Sequence, residues 1–202
     1  MKIILASKSE RRKELLKKIV KNFEIVVSDF DETSIKEKDP VKYVLKCATE
    51  KAKIVGEKYP DSIVIGADTI VYLNGEIICK PKNYQEGRDI LKKLSETEHS
   101  VITGIAIYKK DENKLLSDYE ISYVKFKKLT DDEIEEYLKT EDFLDKAGAY
   151  GVQNIKDKFV EEIKGDFCNV VGLPVEKLKN LLDKFLTQVI TTEIYDIALP
   201  ND

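Results

Sequence analysis

Apolar residues along this chain recur with two different periods, and the switches between them mark its elements. Residues 2–6 read as a short buried strand built on the apolar run Ile3-Ile4-Leu5-Ala6, and Leu15, Leu16 and Ile19 follow at helical spacing. Between them Ser7-Lys8-Ser9-Glu10 fits the S-x-x-E pattern, which predicts that Ser7 caps the helix and Glu10 reaches back to it. Residues 23–27 read as a second strand that empties into the acidic loop 28–33. Pro40 opens a helix to about Tyr59 with Tyr43, Val44, Cys47, Ala48, Ala52 and Val55 on one face. Residues 62–73 and 76–79 are two strands around Asn74-Gly75, the signal for a type I′ hairpin. A helix over 84–94 precedes two paired strands over 101–108 and 115–126, and Thr130 to Glu133 caps a helix carrying Ile134, Tyr137 and Leu138. Residues 146–153 form a glycine-rich loop, and a last amphipathic helix starts after Pro174 and ends near Leu186. This order predicts a single α/β domain with a mixed, twisted central sheet flanked by helices. It is not a doubly wound dinucleotide fold, since no G-x-G-x-x-G follows a strand.

Composition narrows the partners. A chain of 202 residues with 42% hydrophobic content buries a substantial core, and no Gly/Ser/Pro-rich linker divides it. Basic and acidic side chains number 34 and 38, a net charge of -4, so there is no basic field of the kind that holds nucleic acid. The first apolar run is too short for a signal peptide, and no stretch approaches the ~20 residues of a membrane helix, so a cytoplasmic protein without membrane contact is expected. Cys47, Cys79 and Cys168 stand singly with no C-x-x-C pairing and read as reduced, structural thiols, Cys168 as core packing. His99, the single histidine, shows no nucleophile–base–acid pattern and is expected at the surface or in a cap.

Asp68 is the leading catalytic candidate. It lies within 63–71, where every near neighbour is apolar or small, so an ionised carboxylate there needs a metal, a lysine or an activated water. The plainer alternative is a polar residue marking a bulge beside Gly66. Glu32 in the acidic loop, Lys51 near the end of its helix and Lys80 just before Pro81 each read alone as solvated charges. Ser7, Lys8, Arg11 and Arg12 surround the start of the first helix, where amides and guanidiniums favour an anion. A buried acid, an acidic loop and a basic first turn, all at strand ends, together fit a triphosphate with a metal.

Six blocks in one order carry a family resemblance: Leu5-Ala6-Ser7-x-Ser9-x-Arg11-Arg12-x-Glu14-Leu15-Leu16, Glu50-Lys51-Ala52, Gly66-Ala67-Asp68-Thr69, Asn74-Gly75-Glu76 with Lys80-Pro81, Asp145 through Gln153, and Asn169-Val170-Val171-Gly172-Leu173-Pro174. Over residues 2–185 the chain resembles the Maf family of nucleotide pyrophosphatases, with an ITPase-like fold. The resemblance implies hydrolysis of a nucleoside triphosphate between its α and β phosphates, with Mg²⁺ or Mn²⁺, in a cytoplasmic homodimer. Asp68 resembles the family's proton acceptor, and Ser7, Arg12, Glu32, Lys51 and Lys80 resemble the rest of its active site. Arg12, Thr69 and Gln153 resemble the positions that mark the branch acting on dTTP and UTP; an amide such as Gln153 can donate to and accept from a uracil or thymine edge in one plane. The mechanism that fits has water as nucleophile, a metal held by Glu32 and Asp68, and Lys51, Lys80 and Arg12 around the phosphates. A non-catalytic nucleotide-binding regulator of cell division and a purine (ITP-type) pyrophosphatase are the alternatives. Two positions depart from the family pattern: Glu10 replaces a usual proline, and Glu96 follows Ser95 where a glycine is usual. Residues 1–186 are expected to be the catalytic domain and 187–202 a C-terminal extension, packed as a strand or left as a poorly ordered tail.

Overall fold

A computed structural model describes residues 2–140 and 142–198, with side chains to Val189. Its elements are β1 (Ile3–Leu5), α1 (Glu10–Leu16), β2 (Glu24–Ile25), α2 (Pro40–Lys58), β3 (Ile63–Leu73), β4 (Glu76–Ile78), α3 (Tyr84–Leu94), β5 (Glu98–Lys109), β6 (Lys114–Phe126), α4 (Asp131–Leu138), α5 (Val152–Phe159), β7 (Val160–Lys164), α6 (Phe167–Val171) and α7 (Val175–Ala198). The strands form one mixed sheet in the order β2-β1-β3-β5-β6-β7, with β4 on β3. β1 runs parallel to β2 and β3, and every other pairing is antiparallel.

The register opens a gap where the chemistry collects. On one edge of β3, β1 pairs with Ile63 to Ile65 and β4 pairs with Val71 to Leu73, so neither covers 66–70. Side chains alternate across a strand, and here the alternation is functional. Ile63, Ile65, Ala67 and Val71 enter the large core beneath α1, α3 and α7, while Val64 and Ile70 enter the two smaller clusters beneath α2. By the same alternation Asp68 stands on the α2 face and Thr69 on the other.

α2 sits unusually close to the sheet, and two glycines permit it. A Cβ on Gly66 would lie 2.1 Å from the Ala48 carbonyl oxygen, and one on Gly104 would lie 2.5 Å from that of Val44. Gly104 is the ladder partner of Asp68, so these two small residues flank the acid on neighbouring strands and bring the helix down onto it. β3 is regular at this point, which removes the bulge reading of Asp68.

Several local expectations hold. Asn74 (φ 50°) and Gly75 (φ 86°) take the left-handed conformations of the hairpin, and Thr130 and Glu133 complete a capping box on α4. Others are corrected. The second strand shrinks to Glu24–Ile25, both exposed at the sheet edge. α5, β7 and α6 were not anticipated, because short elements of five to eight residues give too few turns for periodicity to emerge. Ser9, not Ser7, caps α1: its hydroxyl accepts from the Arg12 amide, and Glu10 pairs with Lys13 instead of reaching back. His99 is neither a surface nor a capping residue; it is 2% exposed in β5, bonded through Nε2 to the Tyr150 hydroxyl at 2.7 Å and packed edge-on against Phe126. α7 runs without a break past Leu186 to Ala198, so residues 187–198 are helix and not strand, and Val189 is fully buried in the main core. The apolar side chains expected to pack beyond Val189 lie outside the described residues. All three thiols are free; Cys47 is buried, Cys168 half-buried and Cys79 exposed. Among the described residues no helix is long and apolar enough to cross a membrane.

Candidate active site

A cavity of about 630 Å³ opens over the gap on β3. Ser7, Arg12, Glu32, Lys51, Thr69, Lys80 and Gln153 line it, arriving from six separate segments. Asp68 lies directly beneath, 3% exposed, and meets the cavity through Lys51. The residues expected from the sequence to form the site are therefore at one place.

On the α2 face, Lys51 Nζ stands 2.6 Å from Asp68 Oδ1 and 2.6 Å from Glu32 Oε1. Glu32 opens a short 3₁₀ turn, Glu32–Ser34, in which Asp31 Oδ1 accepts from the Thr33 amide, and Lys80 approaches the Glu32 carboxylate at 3.3 Å. Lys51 is buried, not solvated, because the close seat of α2 carries it under the helix. Burial pushes the Glu32 carboxyl up, but Lys51 and Lys80 outweigh it and hold the group down at about 2. For Asp68 the balance reverses: burial drives its proton affinity up, against Lys51, and the charge of Glu32 adds to the rise. Two carboxyls sharing one ammonium are thus driven apart, Glu32 ionised and Asp68 the better proton acceptor.

On the other face Arg12 is tied inward. Its Nε donates to Gly172 O at 2.8 Å, Nη1 to Ala67 O at 3.0 Å and Ser7 Oγ at 3.4 Å, and Nη2 to Thr69 Oγ1 at 2.9 Å. The Ala67 carbonyl is available because no strand covers β3 there. Arg12 is consequently a half-buried strut with one donor to spare, not the free first-turn cation the sequence suggests. Arg11, Lys8 and Ser9 line the mouth, and Arg11 faces Asp145 at 4.0 Å. The glycine-rich loop ends earlier than expected, at Gly151, so Gln153 is the second residue of α5 and projects exposed onto the cavity wall.

Two carboxylates suffice for one class of metal. Among the described residues no cluster of three or more His, Cys, Asp or Glu side chains forms a protein-only cage. Mg²⁺ is usually held by one or two carboxylates together with substrate phosphates and water. Glu32 and Asp68, already sharing a cation in Lys51, fit that donor set.

Sequence reasoning missed Thr103 and gave no role to Asn169, buried polar residues behind Thr69. Thr103 left a usable signal: it is the hydroxyl on the inward face of a strand whose other inward positions are Val101, Ile105 and Ile107.

Residues 2–185 match the family model for Maf-like proteins. The chain belongs to the Maf family. Among its relatives, a dTTP/UTP pyrophosphatase of Clostridioides difficile (strain 630) is 46% identical over 187 residues, covering 93% of this chain and 96% of that protein. A protein of the same name from Clostridium botulinum (strain Loch Maree / Type A3) is 49% identical over 184 residues, covering 89% and 95%. The solved structure of a HAM1 protein from Coxiella burnetii overlaps 62% of this Maf-family chain and 73% of that one, with a TM-score of 0.42 and 14% identity, too loose a match to carry an inference.

Proposed function

We propose that this Maf-family protein hydrolyses dTTP and UTP between the α and β phosphates, releasing the monophosphate and pyrophosphate. The observation that carries this reading is the pair of carboxyls on Lys51, one ionised and one of raised proton affinity, on the floor of a cavity ringed by Lys80, Arg12 and Ser7. The names of relatives 46% and 49% identical over nearly their whole lengths support the substrate class. In this reading Asp68 accepts the proton of the water that attacks the α-phosphorus, which its raised proton affinity favours. Lys51 orients Asp68 and Glu32, Lys80 offsets the charge that builds on the departing pyrophosphate, and Arg12 binds the substrate through its one uncommitted N–H. Ser7 contributes a hydroxyl at the phosphates. Glu32 and Asp68 would hold a divalent Mg²⁺ or Mn²⁺, which when bound supplies charge neutralisation at the phosphate oxygens.

On the same reading the protein works in the cytoplasm as a homodimer. Residues 1–186 are the catalytic domain and 187–202 a C-terminal extension, of which 187–198 continue the last helix, and the extension does not contribute to the site.

The test is a panel of UTP, dTTP, CTP, GTP and ITP with purified protein and Mg²⁺ or Mn²⁺. Pyrophosphate and monophosphate from UTP and dTTP are expected, and chelation should abolish both. Orthophosphate with a diphosphate would overturn the mechanism. Cleavage of ITP alone would move the protein to the purine class, and tight binding without turnover would make it a nucleotide-binding regulator.

A further inference from the structure

A chain of hydroxyls behind the cavity fixes what Thr69 can offer to a ligand. Thr69 and Thr103 are cross-strand partners in the β3–β5 ladder, on the face away from α2, and their Oγ1 atoms are 2.9 Å apart. Thr103 is completely buried, and its hydroxyl also reaches the Asn169 carbonyl oxygen at 3.3 Å. Thr69 also reaches Gly172 O at 3.4 Å and accepts from Arg12 Nη2 at 2.9 Å. Asn169 is itself immobilised, its Nδ2 donating to Val101 O and to Ser122 Oγ, both at 3.0 Å.

A hydroxyl has one proton and two lone pairs. If the relay runs from Thr69 to Thr103 to Asn169 O, the Thr69 proton points inward, one lone pair takes Arg12, and the other remains for a ligand. If it runs from Thr103 to Thr69 to Gly172 O, the proton again stays within the protein and both lone pairs are filled. In the first direction, with its 2.9 Å bond, Thr69 does not donate into the cavity it lines; in the second only the 3.4 Å contact with Gly172 O restrains its proton. Beside it, four of the five N–H groups of Arg12 are committed to protein oxygens, leaving one Nη2 hydrogen.

We infer that Thr103 is a specificity-determining positioning residue: by accepting the Thr69 proton it makes Thr69 an acceptor only, so that the Arg12–Thr69 pair selects a base with a ring N–H beside a carbonyl. This deepens the functional reading above and rests on it. Uracil and thymine carry N3–H flanked by two carbonyls. Cytosine, of the same size, has an unprotonated N3 that meets a lone pair of Thr69. A ligand with the N–H also draws the relay toward Asn169, the one direction in which Thr69 has a lone pair to give.

The experiment compares kcat/KM for UTP and CTP in wild type, Thr103→Val and Thr103→Ser, with folding checked by thermal melting. Thr103→Val keeps the shape and removes the 2.9 Å acceptor, leaving the Thr69 proton only the 3.4 Å contact with Gly172 O, so the hydroxyl can turn toward the cavity. The UTP:CTP ratio should fall about tenfold, through a higher KM for UTP and a better one for CTP, with kcat for UTP little changed. Thr103→Ser keeps the hydroxyl and should hold the wild-type ratio, which a role in packing alone would not predict. Should Thr103→Val fail to fold, Thr103→Cys, with its weak hydrogen-bonding thiol, makes the same comparison. An unchanged ratio in a folded Val or Cys variant, or a Ser variant as unselective as Val, overturns the proposal. Wild-type protein that cleaves neither nucleotide removes the functional reading itself, a result visible in the first arm of the same panel.

Discussion

Asp68 and Thr69 are neighbours in the chain that stand on opposite faces of the sheet, and the two faces build their halves of the cavity differently. On the Asp68 side a single long helix is pressed onto two glycines, so Lys51 and Asp68 are held by backbone contact that leaves little room to shift, and Glu32 joins them through Lys51. On the Thr69 side the wall is assembled from short pieces: the hydroxyl relay, the turn at Gly172, the left-handed Gly148 (φ 71°) and Ala149 (φ 61°), and the exposed Gln153. On the functional reading proposed above, the acid–base pair sits on the tight half. On the same reading, the groups proposed to tell one base from another sit on the half made of small, separately replaceable parts.

The tight half should respond most strongly to substitution. Asp68→Asn is nearly isosteric and should leave the fold intact while lowering kcat by on the order of 10²–10⁴, the general size of an acid–base contribution. Turnover close to wild type in a folded Asp68→Asn protein would return Asp68 to a structural role. Gly66→Ala should cost about 3 kcal/mol in denaturant unfolding, since a Cβ 2.1 Å from a helix carbonyl forces α2 away from the sheet. A loss below about 0.5 kcal/mol, the range of an ordinary surface change, would show that the helix moves freely and that its seat does not fix Lys51.

On the pieced-together half the response should appear as pH dependence. Burial lowers the His99 pKa to about 4, below the usual value near 6.5. Between those values the unfolded chain binds the proton and the folded protein does not. Stability is therefore fully present above about pH 6.5 and falls as the pH drops, by about 2 kcal/mol at pH 5 and about 3 kcal/mol in full. His99→Gln removes the titration, so its stability should decline less than that of wild type between pH 7 and 5. Parallel curves for the two proteins would show that His99 is not the group responsible.

How far the sequence was legible follows the same division. The strand carrying Asp68, the helix carrying Lys51 and the Asn74-Gly75 hairpin leading to Lys80 are long or strongly signalled, and their sequence-predicted bounds lie within a residue or two of the observed ones. Glu10 is the first residue of α1, a position where proline is favoured, which explains why the family's usual proline falls there. The second half was less legible because its elements are short and its contacts are distant in sequence. Arg12 meets Gly172 across 160 residues, and nothing local to either predicts that bond. The S-x-x-E pattern also points to the wrong serine: Ser9 takes the cap of α1, and Ser7 is left for Arg12 and the cavity.

Gln153 should sharpen the division further. Its exposed amide stands on the wall, outside the tight packing of α2, so removing it should change recognition without changing the fold. Gln153→Ala should weaken UTP and dTTP by about 1–3 kcal/mol in kcat/KM and reduce the preference over CTP. Equal losses for all triphosphates would move Gln153 to the phosphate side and leave base selection to Arg12 and Thr69.

The smallest effect is expected where neither half of the cavity is touched. Glu96 lies in the turn between α3 and β5 with φ 60°, a left-handed conformation, at the position where the family pattern has glycine. A non-glycine residue there costs roughly 1–2 kcal/mol, and glycine returns about 0.5–1 kcal/mol of that as entropy of the unfolded chain. The Glu96 amide bonds the Lys127 carbonyl at 3.0 Å, so the turn is anchored by backbone and keeps its geometry when the side chain is removed. Glu96→Gly should therefore stabilise the protein by about 0.5–1 kcal/mol, a rise in Tm of about 2 °C for a chain of this length. Since Glu96 is exposed and does not line the cavity, kcat/KM for UTP should not change. A lower Tm would mean that the side chain stabilises the turn by more than its backbone strain costs, and a change in kcat/KM would mean that the α3–β5 turn reaches the site through His99, three residues further on.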